Sequence, residues 1–118
     1  MESLIEYFNG IDNTNPIVKA CIIHYYFVYI HPFFDGNGRT ARALMHMYLI
    51  RNGYDFLKYF SISKILVDNR SGYYESIRTC EIHESDVTYF IDFYTKLLID
   101  TISEIRKNYL NQFSKKIN

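Results

Sequence analysis

The sequence contains few of the residues that interrupt or cross-link a chain, with two prolines, five glycines and two cysteines among 118 residues. Because 48% of the residues are hydrophobic, this composition excludes a disordered chain. The length predicts one domain over residues 1–118. Cys21 and Cys80 lack the spacing of a zinc site or a redox pair, so we expect buried small hydrophobes in a reducing cytoplasm.

An excess of charge of either sign is also missing, since thirteen basic residues balance thirteen acidic ones. No overall field therefore draws the protein to nucleic acid or to an anionic membrane, and any phosphate recognition must be local. The longest apolar stretches, such as residues 21–30, contain His24 and are shorter than the ~20 residues that span a bilayer. The first ten residues lack the pattern of a signal peptide. We expect a cytoplasmic protein with no nucleic-acid or membrane partner.

Helical periodicity covers most of the chain, and no segment alternates between apolar and polar residues as a half-buried strand would. Asn15 followed by Pro16 predicts a helix start, and Gly10 and Gly53 predict helix ends. Asp86 is expected to cap the longest helix, which precedes a polar, frayed tail over 112–118. The predicted helices are residues 3–8, 16–30, 37–52, 61–67 (from Ser61 or Ser63), 71–82 and 87–111. We predict an all-α fold, a compact helical bundle.

The stretch HPFFDGNGRTAR at residues 31–42 concentrates polar chemistry where a loop turns into a helix. Gly36, Asn37 and Gly38 stand at that turn, so unpaired backbone N–H groups at the positive end of the helix dipole form an anion site. Arg39 and Arg42 lie three residues apart, near one face of the helix. Because each guanidinium matches a pair of acceptor oxygens, two of them indicate more than one phosphate.

A carboxylate and a histidine complete this stretch. Asp35 would not suit a pure anion site, but Mg²⁺ bound to a di- or triphosphate takes one or two protein carboxylates. His31 is of the side-chain type that exchanges protons near neutral pH, so it suits the role of general base toward an incoming nucleophile. The familiar phosphate motifs G-x-x-x-x-G-K-[ST] and G-x-G-x-x-G are absent from the sequence.

The same stretch resembles the Fic family, whose motif H-P-F-x-D/E-G-N-G-R-x-x-R it matches at every specified position. The resemblance extends to IVKACIIHYYFVYI before the motif, to ALMHMYLIRNGY after it and to SGYYESIR further on, so it covers about residues 15–102. Most Fic proteins transfer AMP from ATP to a hydroxyl side chain of a target protein and release pyrophosphate. The resemblance therefore implies the Fic fold, with the motif loop leading into the N-terminus of a central helix, and an enzyme that uses ATP and Mg²⁺.

At the reacting end of the nucleotide, the resemblance implies that His31 deprotonates a Tyr, Ser or Thr hydroxyl of the target, which then attacks the α-phosphorus. Asp35 would hold the Mg²⁺ that bridges the α- and β-phosphates. The backbone of Gly36, Asn37 and Gly38, with the Asn37 side chain, would stabilise charge on the α-phosphate oxygens.

At the leaving end, the resemblance implies that Arg39 binds the β-phosphate and Arg42 the γ-phosphate. Pro32 and Phe33 would shape and anchor the loop. These roles agree with the local physics of an anion site at a helix N-terminus.

Tyr73 and Tyr74 fall where family members place tyrosines near the adenine base, and a place in the core is the equal alternative for them. Relatives often carry an asparagine a little further on, where Glu81 stands here. His24 and His46 lie on apolar helices, so we expect them in the core or behind the site.

Two family elements are not visible in this sequence. The inhibitory S/T-x-x-x-E-G/N motif has its nearest match at residues 71–76, in a different place and with a different last residue. The flap that docks the target precedes the motif in relatives, usually before a segment resembling residues 2–10, so we expect it to lie outside this chain. The resemblance therefore predicts a Fic core without either element, whose inhibition is absent or comes from a missing segment or a partner.

Several functions stay open at this point. The same site could transfer or remove another phosphate-linked group, such as UMP, phosphocholine or AMP, or the chain could be a truncated nucleotide-binding or interaction module with little activity. Kinase activity of the Doc type is disfavoured, because those relatives alter the GNGR segment, which is intact here. The sequence determines neither the target protein nor the oligomeric state, a homodimer included.

Overall fold

The computed structural model describes residues 1–59 and 66–117, which form helices joined by short loops. In chain order these are α1 (Glu2–Asn9), α2 (Pro16–Ile30), α3 (Asn37–Arg51), a 3₁₀-helix (Asp55–Tyr59), α4 (Arg70–Ile82) and α5 (Thr88–Ile117). Residues 66–68, just before α4, are also helical. No strand occurs in the described ranges, which confirms the predicted all-α fold.

Local sequence signals set most of the helix boundaries. The Asn15 side chain accepts a hydrogen bond from the Ile17 N–H at 2.9 Å and caps α2, as predicted. Asp86 does the same before α5, where its carboxylate accepts from the Thr88 N–H at 3.0 Å. The end of α3 lies before Gly53, whose φ of 104° only glycine adopts readily.

Predictions for two other helix ends were wrong. The fourth α-helix begins at Arg70, one residue before the predicted start at Ser71. The last helix continues to Ile117, through the segment that we expected to fray. Its last turn carries Lys115 and Lys116, which favour helix without tertiary packing and lie at the negative end of the helix dipole. Most of the predicted helix 61–67 lies outside the described residues.

The central helix is α2, which packs against α1, α3 and α5. Its sequence is apolar on nearly every side, and it buries seven residues: Lys19, Ala20, Cys21, Ile23, His24, Tyr25 and Phe27. Both cysteines of the chain are buried free thiols, as predicted. Because α2 and α3 lie on either side of residues 31–36, both ends of the motif loop are anchored in the core.

A close contact joins α4 to α5. A Cβ added at Gly72 would lie 2.9 Å from the Phe93 ring, so the glycine permits this approach of the two helices. Phe90, Tyr94 and Leu98 of α5 are buried at helical spacing and complete the core. None of the helices in the described ranges is long and apolar enough to cross a membrane.

Among the described residues, the charged side chain of Lys19 is buried in this core. Lys19 is 1% exposed, and its ammonium group donates to the Gly10 carbonyl at 3.0 Å and to the Asp12 carboxylate at 3.1 Å. It also lies 4.5 Å from the centre of the Tyr7 ring. Burial acts to lower the pKa of Lys19, but the hydrogen bond with Asp12 outweighs it in combination with nearby tyrosines, so the pKa is raised. These contacts fix the segment between α1 and α2 onto the central helix.

Candidate active site

The motif loop begins at His31, directly after α2. His31 has φ 54° and ψ 56°, in the left-handed region, and its N–H donates to the Phe27 carbonyl at 3.1 Å. For a residue with a Cβ this conformation costs about 1–2 kcal/mol. It ends the helix and turns the chain toward α3, with the His31 side chain exposed. The proposed base is therefore accessible to a substrate.

The loop is held by the side chain of Asn37, the first residue of α3. Asn37 is 5% exposed. Its Oδ1 accepts from the Phe33 N–H at 3.0 Å, and its Nδ2 donates to the Phe33 carbonyl at 2.8 Å. The Phe33 ring lies 6.0 Å from the Phe27 ring of α2, centre to centre, while Pro32 is exposed. The Asn37 carboxamide is therefore engaged in holding the loop, a role that the sequence pattern did not indicate.

The N-terminus of α3 leaves several backbone donors unpaired. Gly36 caps the helix with φ 82°, and its carbonyl accepts from the N–H and the hydroxyl of Thr40 at 3.0 and 2.9 Å. Since the bond from Thr40 is the first of the helix, the N–H groups of residues 37–39 have no acceptor within it. The Asp35 carboxylate takes the Gly36 N–H at 2.8 Å through one oxygen, Oδ1. This turn has the geometry of an anion site.

Two arginines lie beside these donors. The Arg42 side chain folds back over Gly38, where an added Cβ would lie 3.2 Å from Nη1 of the guanidinium. Glycine at position 38 therefore leaves room for this guanidinium next to the helix N-terminus. Arg39 is exposed, whereas Arg42 is half-buried.

These groups surround a single pocket of about 320 Å³, near the lower end of the range for small-molecule sites. Its lining consists of His31, Phe34, Asp35, Gly36, Asn37, Gly38, Arg39, Arg42 and Tyr74. The pocket brings together the predicted base, the predicted metal ligand, the predicted phosphate-binding residues and one of the two predicted adenine-side tyrosines. Phe34, whose side chain is exposed, was not predicted. A wider groove of about 530 Å³ runs along the outer face of α4 and shares Tyr74 with this pocket, but it contains no histidine.

The fold and the motif have counterparts in known proteins. Residues 1–49, which include the motif loop and most of α3, match the model of the Fic/DOC family. The crystal structure of a Fic family protein from Desulfovibrio desulfuricans G20 superposes with a TM-score of 0.80 at 30% sequence identity, over 90% of this chain and 32% of that one. The chain is therefore similar to Fic family proteins both in its motif and in its fold.

Curated relatives of this chain carry the name protein adenylyltransferase. The Nematostella vectensis protein adenylyltransferase Fic is 41% identical over 88 residues, which is 75% of this chain and 19% of that protein. The Caenorhabditis elegans protein adenylyltransferase fic-1 is 37% identical over 82 residues, 70% of this chain and 15% of that protein. The chain thus spans less than a fifth of the length of these relatives.

The two tyrosines of α4, Tyr73 and Tyr74, have different places in the fold. Tyr74 is 61% exposed and lines the pocket. Tyr73 is buried in the core, which was the alternative for both tyrosines, and its ring packs edge-on against Phe90. The Tyr73 hydroxyl lies 2.6 Å from Nε2 of His24. Tyr73 therefore stands behind the pocket, outside its lining.

His24 is fully buried, whereas His46 is half-buried. Burial, aided by the positive charge of Arg42, lowers the pKa of His24 to about 3, while the backbone of Ala41 acts in the opposite direction. His24 is therefore neutral at pH 7. Burial raises the pKa of Tyr73 to about 12, against the charge and hydrogen bonding of Arg42. Nothing in the sequence pairs His24 with Tyr73, because the two residues are 49 positions apart.

Proposed function

We propose that this protein transfers AMP from ATP to a Tyr, Ser or Thr hydroxyl of a target protein and releases pyrophosphate. The observation that carries the proposal is the lining of the loop pocket, where a histidine, a carboxylate, a helix N-terminus and two guanidinium groups face one space. The names of the curated relatives support the same activity. Phosphoryl-type transfer needs mostly positioning and electrostatic stabilisation, which these groups provide.

The phosphates of ATP would lie along the N-terminus of α3. We assign the α-phosphate oxygens to the backbone N–H groups of residues 37–39, which have no acceptor within the helix. Arg39 would bind the β-phosphate and Arg42 the γ-phosphate, each through a guanidinium that matches a pair of oxygens. The two guanidinium groups would then contact the departing pyrophosphate, where negative charge develops during transfer.

Asp35 is the residue in this pocket that fits a magnesium ion. Its Oδ1 accepts from the Gly36 N–H, which leaves Oδ2 of an exposed carboxylate at the pocket. The described residues contain no group of three or more His, Cys, Asp or Glu side chains that could hold a metal by itself. One carboxylate is nevertheless what Mg²⁺ takes when phosphate oxygens supply other ligands. When bound, Mg²⁺ would neutralise charge on the α- and β-phosphates.

The chemical step would begin at His31. Its imidazole takes the proton of the target hydroxyl, whose oxygen forms a bond to the α-phosphorus. The bond between the α-phosphorus and the oxygen that bridges to the β-phosphate breaks, and pyrophosphate leaves with that oxygen. The left-handed backbone of His31 aims the ring out of α2, and the Asn37 carboxamide fixes the loop that follows. General-base catalysis of this kind contributes about 10²–10⁴-fold.

The adenine base would lie beside Tyr74, because its exposed ring lines the pocket together with the arginines. An aromatic face is a suitable surface for a purine. Tyr73 contributes no surface to the pocket and does not share this role.

Transfer of label from ATP tests the proposed function. The protein is incubated with Mg²⁺, a cell extract as a mixture of acceptors, and ATP labelled at either the α- or the γ-phosphate. We expect the α-label to appear on protein, exposed tyrosines of the chain itself such as Tyr109 included, and the γ-label to leave as pyrophosphate. The His31→Asn variant serves as the control for contaminating transferases.

Three results would contradict the proposed function. Transfer of the γ-label would identify a kinase. Equal labelling by the parent and by His31→Asn would mean that His31 is not the base. If neither labelled form of ATP transfers its label to protein, the donor is another phosphate-linked compound, such as UTP or a phosphocholine compound, or the chain is a binding module. Mass spectrometry of the acceptors after incubation with those donors separates these two explanations.

A further inference from the structure

Behind the loop pocket, three side chains lead from its edge into the core: Arg42, Tyr73 and His24. We propose that Tyr73 and His24 are positioning residues, which hold the Arg42 guanidinium in the orientation that receives the terminal phosphate of a nucleoside triphosphate. This inference rests on the proposed function and adds two residues, on α2 and α4, to the site that the motif supplies.

Contacts join the three side chains from three helices. Arg42 and Tyr73 both line a small cavity of about 50 Å³, which shares Arg42 and Tyr74 with the loop pocket. The positive charge of Arg42 acts to lower the pKa of Tyr73 against the larger effect of burial, as expected for neighbouring groups. The Tyr73 hydroxyl in turn lies 2.6 Å from His24 Nε2. His24 packs on Phe90 of α5, with ring centres 5.0 Å apart. The row formed by Arg42, Tyr73 and His24 therefore ends against a buried side chain of the core.

The chemistry of these groups restricts the direction of the hydrogen bonds among them. A guanidinium only donates hydrogen bonds, so toward Arg42 the Tyr73 oxygen can act only as the acceptor. Tyr73 keeps its proton, because burial raises its pKa to about 12, and in the proposed arrangement it donates this proton to His24 Nε2. Neutral His24 then carries its single proton on Nδ1, an atom with no hydrogen-bond partner among the described residues. In the other tautomer Nε2–H would donate to the Tyr73 oxygen, and the spectrum described below distinguishes the two.

Orientation matters because Arg42 has a long side chain. An arginine that is free in solvent loses up to about 2 kcal/mol of rotamer entropy when it is immobilised on a ligand. If Tyr73 holds the guanidinium beforehand, less is lost on binding and the affinity for the triphosphate is higher. Arg39 differs, since it is exposed on the first turn of α3.

Removal of one hydroxyl tests this proposal. Tyr73→Phe keeps the ring in the core and deletes the link between Arg42 and His24. We expect calorimetry with Mg²⁺ to show ATP bound about 3- to 10-fold more weakly, with ADP and AMP, which lack the terminal phosphate, bound as in the parent. Within the Arg42→Ala background, Tyr73→Phe should cause no further loss, because the residue on which it acts is gone.

Tyr94→Phe is the matched control. Tyr94 is also buried, at 1% exposed, and its hydroxyl has no hydrogen-bond partner among the described residues. Deleting this hydroxyl should leave the binding of all three nucleotides unchanged. A second comparison uses His24→Gln, which keeps an acceptor for the Tyr73 hydroxyl, and His24→Leu, which does not; ATP should bind more tightly to the glutamine variant.

The proposal would be overturned if Tyr73→Phe weakened the binding of ATP, ADP and AMP equally, or weakened none of them. It would also be overturned if Tyr73→Phe caused the same loss of ATP affinity in the Arg42→Ala background. A readout without nucleotide is the ¹⁵N spectrum of the histidine rings, which should show neutral His24 with its proton on Nδ1. A proton on Nε2 would also overturn the row. A parent protein that binds no ATP would contradict the proposed function. The ¹⁵N spectrum would then be the remaining test of the hydrogen bond between Tyr73 and His24.

Discussion

Replacement of His31 by asparagine will lower the rate of AMP transfer by about 10²–10⁴-fold, the contribution of a positioned general base. Asparagine cannot take a proton from the target hydroxyl. It is, however, one of the residues that tolerate the left-handed backbone of position 31, where φ is 54°. We therefore expect the free energy of unfolding to change by less than about 0.5 kcal/mol, as measured by denaturant titration, so that the loss is one of chemistry.

His83→Asn is the control for this prediction. His83 is also an exposed histidine at the C-terminal end of a helix, α4, but it lies outside the loop pocket. Its replacement should leave the transfer rate at the parent value. A His31→Asn variant that transfers AMP at the parent rate, or a His83→Asn variant that loses as much, would remove His31 from the mechanism.

Replacement of Arg39 or Arg42 by alanine will weaken nucleotide binding to an extent that depends on the number of phosphates in the nucleotide. Arg39→Ala should weaken both ATP and ADP by about 10- to 100-fold, because hydrogen bonds to charged groups contribute about 1.5–3 kcal/mol. Arg42→Ala should weaken ATP by a similar factor and leave ADP nearly unchanged. AMP should bind equally to both variants and to the parent. Calorimetric titrations with Mg²⁺ measure all three.

The same helix offers a control for the loss of charge. Arg51 is exposed in the last turn of α3, at the end opposite the pocket. Arg51→Ala removes one positive charge from α3 and should leave all three affinities unchanged at moderate ionic strength, where exposed charges that far apart are screened. If Arg39→Ala and Arg42→Ala weaken AMP as much as ATP, the assignment of the arginines to the β- and γ-phosphates is wrong.

Much of the fold could be read from local signals. The start of α2 follows from Asn15 and Pro16, because the amide of one caps the helix and the ring of the other suits its first turn. The motif loop was predicted to lead into a helix N-terminus, and it does so at Gly36. Such features depend on a few consecutive residues, which a sequence displays directly.

The contacts that support the site are of another kind. Lys19 would be assigned to solvent by its charge, yet it is buried by Gly10 and Asp12 from the preceding loop. The bond between His24 and Tyr73 joins α2 to α4, and both residues carry only an apolar-helix pattern in the sequence. Non-local pairs of this sort are determined by packing, so a pattern with a period of three to four residues cannot contain them.

The motif residues could be identified from the sequence, but their individual roles could not. The resemblance assigned the Asn37 side chain to the phosphate, whereas in the fold the carboxamide holds the Phe33 backbone through both its donor and its acceptor. A motif states which residues occur together. Which of them face the ligand and which hold the loop depends on hydrogen bonds that only the three-dimensional arrangement supplies.

The most direct test of this account is to locate bound ATP on the protein. Amide chemical shifts of the ¹⁵N-labelled chain are followed during titration with ATP and Mg²⁺. We expect saturable changes that are largest at residues 35–42 and at Tyr74, with little change at Ile82 at the far end of the wide α4 groove. Saturable changes confined to that groove, or no change at residues 35–42, would contradict the central claim that the motif loop is the nucleotide site.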